Sequence, residues 1–136
     1  MRRTDQRREA VFALYQHDVT EQTVDAALRA DARPFTRALA EGVAEHGEEL
    51  DALIERHAEG WTLERIAPLE RAILRLALLE MLHPDIVEAE QPIPPEGAIE
   101  EAVETAKAYC GAQAPGFVNG ILGAVLRDVR QNPSAS

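Results

Sequence analysis

The chain has 136 residues, 46% of them apolar, with one cysteine and a formal charge of −10. That length suits a single domain whose core needs no disulfide or metal staple, and the lone Cys110 has no second thiol to pair with. No apolar run reaches the roughly eighteen residues of a membrane span, the opening Met1-Arg2-Arg3-Thr4-Asp5 lacks the apolar stretch of a secretory signal, and the acidic balance argues against indiscriminate nucleic-acid binding; a cytoplasmic protein is expected.

Alanine and leucine dominate, and the apolar residues recur at steps of three and four, as amphipathic helices require. An all-α fold follows. The first helix is expected to open near Thr4, with that side chain as its cap, and to bury Val11, Leu14 and Tyr15. Arg7 and Arg8 ride on it one to two turns upstream. A shorter helix over about 20–30 turns Val24, Ala27 and Leu28 inward, until Asp31 and Pro34 break the chain, since proline fits only the first turn of the helix that follows.

Residues 34–57 carry Leu39, Val43, His46, Leu50, Leu53 and Ile54 at helical spacing and read as one long helix. Its Gly42 and Gly47 each cost about 1 kcal/mol there, which implies a close neighbour or a kink. Gly60 ends this unit, and Thr62 is placed to cap a single turn bearing Leu63 and Ile66. Pro68 then opens a helix over 69–82 that is apolar on most sides and must be surrounded. Residues 83–95 hold Pro84, Pro92, Pro94, Pro95 and several acids, and read as a long loop. From Pro95 a helix buries Ile99, Ala102, Val103 and Ala106 and closes on Gly111 as a left-handed cap. The last helix, about 115–130, buries Phe117, Val118, Ile121, Leu122, Val125, Leu126 and Val129; residues 131–136 form a polar tail expected to be disordered. The organisation expected is one domain over 1–130, with six or seven helices arranged as two small bundles, about 1–60 and 61–130, that share a core.

Charge is unevenly spread. Arg2, Arg3, Arg7 and Arg8 fall in the first eight positions, whereas residues 76–106 carry Glu80, Asp85, Glu88, Glu90, Glu96, Glu100, Glu101 and Glu104 without a lysine or arginine. The asymmetry fits either two surfaces for two partners or an ordinary solvated face. Catalytic chemistry is poorly represented: there is no glycine-rich phosphate cradle after a strand, and no nucleophile with a companion base. Glu80 and His83 have the three-residue spacing of di-iron ligands, yet such sites repeat the motif and this chain does not. His17, His46 and His57 lack a partner at zinc spacing, with His46 at the edge of an apolar stripe and the others at the surface; Cys110 reads as a small buried thiol. No enzyme, metal or cofactor is expected.

Three stretches are more specific. The arginine-rich opening runs into Arg7-Arg8-Glu9-Ala10-Val11-Phe12-Ala13-Leu14-Tyr15. The apolar helix reads Leu69-Glu70-Arg71-Ala72-Ile73-Leu74-Arg75-Leu76-Ala77-Leu78-Leu79-Glu80. Ile93-Pro94 precedes Ala98-Ile99-Glu100-Glu101-Ala102-Val103-Glu104-Thr105-Ala106-Lys107-Ala108-Tyr109, followed at short distance by Phe117-Val118-Asn119-Gly120-Ile121-Leu122. In order and spacing they resemble the NusB family over essentially the whole chain, and the closing pair is the most specific part.

The resemblance implies a non-catalytic, two-subdomain helical protein that binds the boxA element of ribosomal RNA leaders with NusE, a small ribosomal subunit protein. That complex joins other Nus factors on RNA polymerase and prevents early termination. It further implies that Arg2, Arg3, Arg7 and Arg8 contribute to RNA binding, and arginine forks on a helix suit phosphates. Tyr15 and Phe117 are candidates for stacking on unpaired bases or for core packing, the latter favoured for Phe117 by its stripe; Lys107 is placed either to reach a phosphate or to interact with its helix end. Near the RNA in the family, the loop 111–116 is uncharged here, so any contact comes from its backbone or from Gln113. Glu70, by family position, contacts the protein partner, with Arg71 and Arg75 one turn on; their other reading is pairing along an exposed helix face.

Asn119 and Gly120 are poor helix formers inside a helix, and a close helix crossing at Gly120, with Asn119 bonded to the preceding loop, would account for both without RNA. Two departures from the family stand out: Thr4-Asp5-Gln6 interrupts the basic run, and the loop 83–95 is longer and more acidic. Family members occur as monomers and as homodimers. Rival readings are a free-standing module of the kind fused to cytosine RNA methyltransferases, and an acidic helical adaptor that never touches RNA.

Overall fold

The computed structural model describes residues 1–86 and 92–132, so the middle of the loop 83–95 and residues 133–136 of the tail lie outside the described residues. Among them there is no strand. Seven helices follow one another: α1 (Arg3–Thr20), α2 (Val24–Ala27), α3 (Pro34–Glu45), α4 (Gly47–His57), α5 (Pro68–Leu82), α6 (Pro95–Tyr109) and α7 (Ala114–Gln131), with single 3-10 turns at Leu63–Arg65 and Pro84–Ile86. No described helix is long and apolar enough to cross a membrane.

The all-apolar helix is central, as its composition demands. α5 packs against α1, α3, α4, α6 and α7, and Ile73, Leu74, Leu78 and Leu79 are fully buried on it. Each such side chain stabilises the fold by about 1.5–3 kcal/mol. Leu14, Leu39, Leu50, Ile54, Leu122 and Val125 join them in one contiguous core drawn from both halves of the chain. Side-chain pairs fix the directions: Arg7 meets Glu80 while Asp18 meets Arg71, so α1 runs antiparallel to α5. Thr4 donates to Glu101 at 2.9 Å and Phe12 meets Tyr109, so α6 lies parallel to α1.

Several local expectations are corrected. Thr4 does not cap α1, which begins at Arg3 without a side-chain cap, because its hydroxyl is turned onto Glu101. The second helix is one turn rather than the span 20–30: α1 continues to Thr20 and ends on left-handed Glu21 (φ 61°), and Thr23 then caps α2 by accepting from the Ala26 N–H at 3.1 Å. The long helix 34–57 is two helices, interrupted at His46 (φ −102°, ψ 18°). Both glycine explanations apply, one to each residue. A Cβ on Gly42 would stand 2.8 Å from Ile86 Cδ1 and 2.9 Å from Leu79 Cδ2, whereas Gly47 has open space and marks the bend. Gly111 is not a left-handed cap, since α6 ends on extended Cys110; among the described glycines it is Gly60 that has positive φ, at 76°. Thr62 precedes its 3-10 turn but makes no side-chain cap.

Candidate nucleic-acid interface

α1 has two stripes one residue apart, and they face different ways. Arg7, Ala10, Val11 and Leu14 point inward, while Phe12, Tyr15 and Val19 are exposed large side chains in step with Arg8. Two of the four expected phosphate-binding arginines therefore part company at adjacent positions.

Arg7 is buried. Its Nε donates to Glu80 Oε1 at 2.8 Å, its Nη2 to Oε2 at 3.0 Å, and its Nη1 lies 3.7 Å from Glu101. This corrects the expectation of an RNA contact: a guanidinium held bidentately in the interior is not available to a phosphate. Burial is the dominant influence on Glu80, raising its carboxyl above the usual range against the opposing pull of Arg7, and the nearby Glu101 adds to the rise.

Arg8 is placed differently. Its guanidinium carbon lies 5.4 Å from the Tyr109 ring centre, and among the described residues its buried Nε has no hydrogen-bond partner and the side chain makes no ion pair. Phe12 meets Tyr109 edge-on, with centroids 4.9 Å apart and planes at 84°, and both rings are exposed. Tyr15 also belongs to this outer stripe rather than to the buried one. A cation and exposed rings on one face have the chemistry that holds phosphate and stacks on unpaired bases.

Two further basic residues near this cluster are held lightly. Arg2 pairs with Asp5 at 3.3 Å and Lys107 with Glu104 at 3.3 Å, both at the surface. Arg3 lies over the Phe35 ring at 4.1 Å. Beside Arg8 an open cleft of about 630 Å³ is lined by Thr4, Ile93, Glu100, Glu104 and Asn119 among others. The close crossing expected at Gly120 is absent: a Cβ there would meet nothing within 4 Å, and Asn119 is exposed. Gln113 is exposed ahead of α7, while Phe117 is half-buried against the core and edge-on to Trp61 at 6.0 Å, which is its packing role.

The residues expected at a protein partner also divide. Arg71 donates to Asp18 at 2.9 Å and to the Leu63 carbonyl at 3.1 Å; Arg75 forks onto Asp51 at 2.7 and 3.2 Å and reaches Asp18 at 3.4 Å. The pairing along an exposed helix face is corrected, because these arginines tie α5 to α1 and α4 in a partly buried network. Glu70 is half-buried with no ionic partner among the described residues, and burial raises its carboxyl. Burial, and then the Glu70 charge, push the neighbouring Cys110 thiol up, which makes it a poor nucleophile.

Sequence reasoning missed Phe12, Tyr109 and Asn119 as parts of this face. The signal for Phe12 was its four-residue spacing from Arg8, out of phase with the buried stripe. Tyr109 comes from another helix and becomes a neighbour only through the packing of α6 on α1. Nor are all the other histidines at the surface: His57 has its side chain largely buried and bonds Asp128 at 2.6 Å, joining α4 to α7.

Comparison with known proteins adds a family. The family model described as NusB family matches residues 4–127. The transcription antitermination protein NusB of Rubrobacter xylanophilus is 41% identical over 90% of this chain and 88% of its own length. The crystal structure of T. maritima NusB superposes with a TM-score of 0.80 at 31% identity, covering 94% of this chain and 92% of that one. The same fold occurs in a crystal structure of the antitermination factors NusB and NusE with dsRNA, with a TM-score of 0.74, 24% identity, and coverage of 92% of this chain and 96% of that one.

Proposed function

The chain belongs to the NusB family, and from that premise we propose that it is a non-catalytic transcription antitermination factor that binds boxA RNA of ribosomal RNA leaders together with NusE. In this role it supports processive transcription by RNA polymerase alongside other Nus factors. The observation that carries the RNA half is Arg8, whose guanidinium has no ion pair among the described residues and lies beside Tyr109 and Phe12 on the outer face of α1 and α6.

Electrostatics decide which other cations take part. Exposed pairs such as Arg2–Asp5 and Lys107–Glu104 are worth about 0–1 kcal/mol and yield readily to a phosphate, whereas the interior Arg7–Glu80 pair does not. Glu100 and Glu104 border the same cleft and oppose a polyanion, so affinity without a partner is low. A basic ribosomal protein offsets that repulsion, and Glu70 gives it an acidic contact.

A fluorescence-anisotropy titration of boxA RNA with and without NusE tests this reading. Binding that tightens with NusE and weakens as salt rises is expected; RNA binding absent under both conditions would leave an acidic adaptor as the better description.

A further inference from the structure

The four histidines are scattered in sequence, yet the fold brings two of them face to face beside a carboxylate. His46 is the residue between α3 and α4, Glu49 lies in the first turn of α4, and His83 follows the last turn of α5. The His46 and His83 rings stack with centroids 4.0 Å apart and planes at 23°. Glu49 reaches both: its Oε1 lies 2.9 Å from His83 Nε2 and its Oε2 3.9 Å from His46 Nδ1. One donor atom from each of the three lies within 4.8 Å of the others.

We propose that His46, Glu49 and His83 bind a zinc ion, with water in the fourth position. Two imidazoles and a carboxylate are ordinary zinc donors, and a site with three protein ligands keeps one position open. Tetrahedral zinc with bonds of about 2.0–2.1 Å places its donors roughly 3.3 Å apart, so the cluster closes by up to about 1.5 Å through side-chain rotation. The backbone that carries the donors is already fixed. His46 N–H donates to the Gly42 carbonyl at 3.0 Å, Leu50 N–H to the His46 carbonyl at 3.1 Å, and His83 N–H to the Leu79 carbonyl at 2.8 Å. All three side chains retain solvent access, which gives the ion an entry path. Magnesium and calcium, which favour all-oxygen shells, do not match a set with two nitrogens.

The position gives the site a structural consequence. It joins the bend between α3 and α4 to the end of α5, just before the turn Pro84–Ile86 whose Ile86 already packs on Gly42. Zinc therefore fastens the α3–α4 bend to the end of α5.

Isothermal titration of the full chain with zinc chloride, together with cobalt(II) absorption spectra and a thermal melt, tests the proposal. One saturable zinc per chain, a cobalt spectrum of four-coordinate type and a raised Tm are expected. His83→Gln and Glu49→Gln should each weaken zinc by more than about tenfold while circular dichroism stays native, His17→Gln should leave it unchanged, and excess magnesium should not compete. Absence of saturable binding, or binding that survives both His83→Gln and Glu49→Gln, would overturn it.

Discussion

Arg7 on α1 and Glu80 on α5 are 73 residues apart in sequence and meet in a bidentate ion pair, Nε to Oε1 at 2.8 Å and Nη2 to Oε2 at 3.0 Å. Both side chains are nearly covered, and Thr4 and Arg7 bring Glu101 of α6 to the same point. Three helices are pinned together there, which makes Arg7 a structural residue in a segment otherwise suited to RNA.

Removing Arg7 strands a buried carboxylate. Arg7→Ala is expected to cost about 3–5 kcal/mol at neutral pH, read from urea denaturation followed by circular dichroism. Burial already raises the Glu80 carboxyl, and loss of the guanidinium raises it further. A raised carboxyl contributes stability that is complete below the ordinary glutamate range and is lost as pH rises through its folded value. The variant is therefore expected to recover relative to wild type as pH falls into the acid range, and Arg7→Ala combined with Glu80→Gln to recover part of the loss at neutral pH.

Asp18 holds two guanidinium groups at once. Asp18→Ala leaves Arg71 with the Leu63 carbonyl and Arg75 with Asp51, and is expected to destabilise by about 2 kcal/mol. Differential scanning calorimetry should show the lowered Tm. With the protein kept well below that Tm, NusE affinity should change little, because the network lies between helices.

Glycines on two helices should respond with opposite sign. Gly120→Ala enters open space in the middle of α7 and should stabilise by about 0.5–1 kcal/mol. Gly42→Ala also gains helix propensity, but its methyl must displace Ile86 and the fully buried Leu79, so a net loss of about 1 kcal/mol is expected. Chemical denaturation midpoints of the two variants supply the comparison.

Much of this architecture is legible from spacing. The apolar run of α5 can only be a surrounded helix, and Pro34, Pro68 and Pro95 each open one in the first turn. Arg7 was also readable: it is in phase with Val11 and Leu14, and Glu80 sits on a helix with almost no polar face, so each required an opposite charge in the interior. What spacing cannot convey is which residues of different helices become neighbours. Tyr109 beside Arg8, and His83 stacked on His46, depend on how α6 lies along α1 and how α5 ends against the α3–α4 bend. The bend itself was hidden because Leu39, Val43, Leu50 and Ile54 keep a helical period across it.

The decisive measurement is the Kd of boxA RNA for the complex with NusE across a salt series, for wild type and for Arg8→Ala. Truncating Arg8 removes one half-buried cation at the edge of this face and its contact with Tyr109, while the apolar core is left in place. A loss of about tenfold or more, a salt slope shallower by roughly 0.7–0.9, and an unchanged Tm are expected. An Arg8→Ala complex that binds the RNA with wild-type Kd and wild-type salt slope would contradict the assignment of this face to RNA.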